Sequence, residues 1–179
     1  ALEQELDQAI ERLPRSDYAF FVRAMFAVFV RGDTTSALRD LERTLALTPN
    51  YAPGLELRGL AHLRAGEPAA AAAELERAVA VSEGDPLLPY RLFMLALAHH
   101  LADAPARGLA AIERAIQERP SQRNYHLLKA ICAEATGNDA ARRAAERRAQ
   151  TLPGTPSILA PRPPLPPEQS ALARRFGPA

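Results

Sequence analysis

The sequence predicts an all-α protein built from stacked helix hairpins, and three observations carry that prediction. Apolar residues recur at helical spacing in one segment after another. The pattern repeats along the chain at about 34 residues. Glycine and proline fall between the segments, where a helix has to stop and the chain has to turn.

The clearest hairpin runs from Gly54 to Ala80. Its first helix carries Leu57, Leu60, Ala61 and Leu63 at helical spacing, with Gly59 where a facing helix can approach closely. Its second carries Ala71, Leu75, Ala78 and Val79 on one stripe. Gly66 suits a left-handed stop, and Pro68 suits a first helical turn, where its missing N–H is not needed. Such a hairpin has one apolar side and needs neighbours.

Sliding the chain against itself finds them. A shift of 34 residues upstream sets Met25 on Gly59, Gly32 on Gly66, Ala37 on Ala71, Leu41 on Leu75 and Thr44 on Ala78. A shift of 37 downstream sets Ala96 on Gly59, Gly108 on Ala71, Ile112 on Leu75 and Ala115 on Ala78. A further 34 sets Ala130 on Ala96 and brings Gly137 near Asp103. The hairpins close with Pro49, Pro86, Pro120 and Pro153. Small residues at fixed places in both helices are the mark of a solenoid.

On these residues the chain resembles the tetratricopeptide-repeat family. Met25, Gly32, Ala37, Leu41, Thr44 and Pro49 fill the family's motif in one repeat. Gly59, Gly66, Ala71, Leu75 and Ala78 fill it in the next, followed by about three extra residues at Glu83-Gly84-Asp85. The third keeps Ala96, Ile112, Ala115 and Pro120 but has Asp103 at the turn, and the fourth is Arg-rich after Ala130 and Gly137. The resemblance implies a right-handed α-α superhelix, a tetratricopeptide solenoid, with repeats at 18–51, 52–86, 87–121 and 122–153. It speaks to fold more than to function, because the motif residues are packing residues.

In chain order, Leu2, Leu6, Ala9, Ile10 and Leu13 form an opening helical stripe within residues 1–14, spaced like the second helix of an earlier repeat. The chain is therefore expected to be cut from a longer array, the alternative being a lone N-terminal cap. Ser16 and Asp17 cap a helix at Tyr18 to Val30, and Thr34 and Thr35 are expected to cap its partner, Asp33 to Ala46, whose Ala37, Leu38, Leu41 and Leu45 face inward. After the insert, helices are predicted at Leu88 to Leu101, Ala104 to Glu118, Arg123 to Thr136 and Asp139 to Thr151. Residues 154–179 are proline-rich, expected to be extended with a short helix after Pro167, and to cover the open end of the last repeat.

Composition narrows the function. The formal net charge is +1, which argues against a nucleic-acid binder. The most apolar run, Tyr18 to Val30, is broken by Arg23 and falls short of the roughly 20 residues a membrane span needs. Cys132 is the one cysteine and lies among Leu128, Ile131 and Ala133, where a buried inert thiol is expected. His99 and His100 point about 100° apart on a helix, and with His62 and His126 they make no metal set. No nucleophile elbow, glycine-rich phosphate loop or isolated carboxylate pair is present, so neither an enzyme nor a cofactor is expected. Arginine dominates the basic residues, with Lys129 the sole lysine, which fits a GC-rich bacterial source. The opening Ala1-Leu2-Glu3-Gln4-Glu5 is acidic where a secretory signal is basic, and the chain is expected to be a fragment or a processed product; the expected location is cytoplasmic, with a periplasmic one left open.

The resemblance implies that first helices line a concave groove. By register the partner-binding line is Ala19, Val22, Phe26 and Phe29, then Pro53, Glu56, Leu60 and Leu63, then Tyr90, Phe93, Leu97 and His100, then Asn124, Leu127, Ile131 and Glu134. Arg23, Arg58, Arg64 and Arg91 are expected at its rim. The line is apolar, unlike a clamp for peptide carboxylates. Each Phe or Leu left in water forgoes roughly 1.5 to 3 kcal/mol, so part of the groove should be covered. The occupant is expected to be a partner's apolar helix or peptide, with homodimerisation, a secretion-type chaperone role or cover by the chain's own tail as alternatives, or these side chains pack on one another. The run Ser82 to Leu88, the helix end Ala96-Leu97-Ala98-His99 and the closing Arg162 to Pro167 resemble repeat modules of bacterial signalling proteins. In those, an adenylate-cyclase catalytic domain or a winged-helix domain precedes the repeats.

Overall fold

A computed structural model describes residues 2–153 of the chain. The expected proline-rich tail and its short helix lie outside the described residues. The chain divides into two compact units, the first ending at Val81 and the second beginning at Ser82. Every regular element among the described residues is helical.

The first unit holds α1 (Leu2–Arg12), α2 (Asp17–Phe26), α3 (Thr34–Leu47), α4 (Ala52–Ala65) and α5 (Pro68–Ala80), with α2 running on into a π-helical turn at Ala27–Arg31. Ser16 caps α2 by accepting the Ala19 N–H at 3.2 Å. Asp33, not Thr34 or Thr35, caps α3 by accepting the Ser36 N–H at 3.0 Å. An ionised carboxylate beside the positive helix end is the stronger acceptor. Gly32 and Gly66 end their helices in the left-handed region at φ 67° and 79°. The core gathers Ala24, Ala27, Val28, Ala37, Leu41, Leu57 and Ala61. Inside it Asp40 receives two 2.7 Å bonds from Arg23.

Gly59 lets α5 pack tightly on α4, since a Cβ there would stand 2.7 Å from Leu75 Cγ. Its counterpart in α2 is not Met25. Ala24 is fully buried and Met25 is exposed, one residue out from the expected register. The π-helical turn accounts for the difference. With its 5 residues and the 10 of α2, the element is one residue longer than the 14 of α4. Ala27 O accepts from the N–H groups of Gly32 and Asp33, so the last turn is wide enough to absorb the extra residue.

The second unit holds α6 (Leu88–Leu101), α7 (Pro105–Glu118), α8 (Arg123–Ala135) and α9 (Asp139–Gln150). It opens on the insert, where Gly84 takes φ 76°. Asp85 holds the turn that leads into α6 by accepting the Leu87 N–H at 2.8 Å. Its other oxygen accepts from Arg91, which also donates to Ser82 Oγ at 3.0 Å. Arg91 is completely buried and ties the insert to α6. Gly108 lets α7 reach α6, because a Cβ there would lie 2.9 Å from the Ala96 carbonyl oxygen and 3.2 Å from Cys132 Sγ. Asp103 holds φ 57° where the other hairpins have glycine. Cys132 is buried, and desolvation pushes its thiol up to about 12.

Candidate functional site

On α2 the π-helical turn decides which side chains meet water. With Ala24 packed inward, Tyr18, Val22, Met25 and Phe29 follow one another at spacings of four, three and four, which lays them along one side of the helix. Tyr18 is 64% exposed, Met25 38%, Phe29 50% and the neighbouring Val30 68%. Large apolar side chains in a continuous line at these exposures are the open apolar face of the first unit. Val22 is half-buried within it. Phe26, expected on the same line, is half-buried and turns to a cleft of about 190 Å³ lined by Asp7, Arg23, Arg31, Ser36, Arg39 and Asp40.

The arginines expected at the rim have separate fates. Arg64 donates to the Val28 carbonyl at 2.9 Å and lies over the Phe29 ring, 5.7 Å from its centroid, which props that ring toward solvent. Burial lowers the Arg64 pKa from its ordinary value. Arg23 is drawn into Asp40 and reaches Asp7 of α1 at 2.8 Å, and the Asp40 bonds hold its pKa above the usual value. Arg58 bonds Glu74 of α5 at 2.6 Å. Arg91 is not a rim residue at all, because the carboxylate and hydroxyl of the insert hold its guanidinium inside the second unit.

On α4, Glu56 and Leu60 are half-buried and Leu63 is buried. In the second unit the face is closed further. Phe93 is 1% exposed and stacks on Tyr125 with centroids 5.2 Å apart and planes at 18°. Ile131 is buried, while Tyr90, Leu97, His100 and Leu127 are half-buried. His126 Nε2 pairs with the Pro120 carbonyl at 2.9 Å, and His62 Nδ1 with Glu67 at 2.7 Å. Among the described residues no three of His, Cys, Asp and Glu come together as metal ligands. None of the described helices is long and apolar enough to cross a membrane.

Sequence reasoning missed Tyr18, Met25 and Val30. The signal was available: Ala24, the small residue next to Met25, would have fixed the register had one extra residue been allowed before Gly32.

The paired helices, small residues at the crossings and glycine stops define the fold of tetratricopeptide-repeat proteins. MamA from Desulfovibrio magneticus RS-1 superposes with a TM-score of 0.77 at 17% identity, over 84% of this chain and 82% of that one. MamA AMB-1 gives 0.72 at 20% identity, over 89% and 87%. PilW, a widely conserved type IV pilus biogenesis factor, gives 0.71 at 21%, over 82% and 67%. MamA and PilW are repeat proteins of this type, and at these identities the likeness is one of fold. No protein-family model and no curated protein matches the chain.

Proposed function

We propose that the chain is a protein-interaction module whose first unit holds an apolar helix of a partner along α2. The observation that carries this reading is the exposed line of Tyr18, Met25 and Phe29 with Val30 beside it. A partner helix covering that line would release on the order of 5 kcal/mol of apolar transfer free energy. Ordering costs take part of it back, which makes a weak, exchangeable complex. Arg64, fixed against Phe29, supplies a cation at the edge of the contact for an acidic residue of the partner. The local likeness to repeat modules of bacterial signalling proteins supports a place in a larger regulatory protein, working in the cytoplasm.

The test is a display library of amphipathic helical peptides selected on the unaltered chain. Peptides with an apolar stripe should be enriched, and the pair Met25→Asp with Phe29→Asp should weaken their binding at least tenfold while the helical circular dichroism stays unchanged. Enriched peptides that bind the doubly altered chain equally well would remove α2 from the site.

Self-association through the same line is the second reading. A four-three-four stripe on one helix is complementary to itself in an antiparallel pair. Light scattering separates the two: a mass that rises with concentration, and returns to monomer with Met25→Asp, favours pairing of two copies.

A further inference from the structure

We infer that the cleft between α1, α2 and α3 is a binding site for a small dianionic oxoanion of the phosphate class, held between Arg31 and Arg39. Met25, Phe29 and Val30 of the α2 line take no part in it, so this is a separate surface of the first unit. The cleft measures about 190 Å³. That is room for about six waters at about 30 Å³ each, and short of the roughly 300 Å³ at which pockets for drug-sized ligands begin. A phosphoryl group on a short stem fits it, whereas a nucleotide does not. The charges decide what enters. Arg23, Arg31 and Arg39 line the cleft together with Asp7 and Asp40, three positive groups against two negative. Arg23 takes both aspartates: its Nε and Nη2 donate to the two oxygens of Asp40 at 2.7 Å, and its Nη1 donates to Asp7 at 2.8 Å. The carboxylates that would hold a cation are thus spent on Arg23. Arg31 and Arg39 are exposed, and their charge is the excess that an anion answers.

Two further observations mark the same place. The first is the backbone. Phe26, Ala27 and Arg31 reach the cleft where α2 runs into its π-helical turn. Such turns are rare and recur at functional sites. One residue fewer would rotate the position of Arg31 by about 100° and carry its guanidinium to another side of the helix. The second is the repeat itself. A shift of 34 residues sets Ala65 on Arg31, Ala70 on Ser36 and Ala73 on Arg39. The next hairpin folds with three alanines there, so packing does not ask for the two arginines or the serine. They are additions to the repeat, and all three line one cleft. Ser36 stands in the first turn of α3, where the positive end of the helix favours a negative charge. Two guanidinium groups from separate elements suit a phosphoryl group, whose oxygens accept several charge-assisted bonds at once.

The probe is inorganic phosphate, titrated by calorimetry into the unaltered chain at about pH 8, where the dianion prevails. Arg31→Gln and Arg39→Gln should each weaken binding about tenfold, the usual worth of a charge-assisted contact. Arg143→Gln combined with Arg147→Gln removes two exposed arginines of α9 and should leave binding unchanged. Acetate, with a single charge, should bind at least tenfold more weakly than phosphate. Equal losses from the α9 pair and from the cleft arginines would mean attraction to the general charge of the chain, and overturn the proposal. Acetate binding as tight as that of phosphate, or phosphate binding that does not saturate, overturns it too. Should Arg31→Gln change the circular dichroism, Arg39→Gln on α3 decides alone. O-phosphoserine titrated alongside identifies the source of the group: tighter binding than inorganic phosphate supports a phosphorylated side chain, and weaker binding supports the free ion. None of these readings requires a peptide on α2, so the cleft and the apolar line stand or fall separately.

Discussion

The two units are assembled from the same helix hairpin yet treat their first helices in opposite ways. In the first unit α2 carries one extra residue, takes it up in a π-helical turn, and leaves Met25, Phe29 and Val30 in water. In the second, α6 has no such turn, and Phe93 is sealed against Tyr125. The comparison shows that a repeat keeps its packing small residue, Ala24 or Ala96, and lets the exposed side chains change. One residue of slip rotates a helix by about 100°, enough to replace a whole line of contacts.

Substitution of the two phenylalanines tests the contrast most directly. Phe93→Ala should cost about 4 kcal/mol in denaturant unfolding, the usual cost of emptying a buried aromatic site, whereas Phe29→Ala should stay within about 0.5 kcal/mol. Equal losses would mean that both units bury this face alike. Arg91→Ala comes next, at about 3 kcal/mol, since it leaves a cavity and removes the guanidinium that Asp85 and Ser82 bond, while Arg58→Ala at the half-buried Glu74 pair should cost about 1 kcal/mol.

The helix crossings give a finer comparison. Gly108→Ala drives a methyl into backbone, the Ala96 carbonyl oxygen, and should cost about 2 kcal/mol. Gly59→Ala sets a methyl 2.7 Å from Cγ of the fully buried Leu75, so about 2 kcal/mol is expected there as well. Asp103→Gly should act the other way and stabilise the second unit by about 1 kcal/mol, read as a rise in Tm, because it relieves a left-handed aspartate.

The smallest effect is acid sensitivity. The Leu87 N–H and then Arg91 hold the Asp85 carboxyl below its ordinary range, and the Ser36 N–H does the same for Asp33. A folded pKa below the unfolded one adds stability that is complete above about pH 4 and disappears as pH falls through the folded value. Asp85→Asn and Asp33→Asn should therefore lower the unfolding midpoint at pH 7 and approach the unaltered chain near pH 2. A loss that persists at pH 2 would show that charge is not what these carboxylates contribute.

How far the sequence could be read follows from what spacing encodes. Apolar period and glycine stops placed α6 at Leu88 to Leu101, its span in the structure, and located the stop glycines Gly32 and Gly66. They misplaced the α3 cap, because Asp33 and Thr34 are both good caps and only backbone geometry chooses between them. They put Met25 in the packing position, because a rigid shift of the sequence cannot show a widened turn. Arg91 was assigned to a rim because an arginine on a helix is usually exposed. Its burial depends on Ser82 and Asp85, brought to it by an insert that has no counterpart in the other repeats.

The burial of Cys132 gives the second unit a clock. It is the chain's one cysteine, so a thiol reagent reports the opening of that unit and is blind to the first. If opening costs about 5 kcal/mol, labelling should run several thousand times slower than in the unfolded chain, and the rate converts directly into the frequency with which α8 leaves its place.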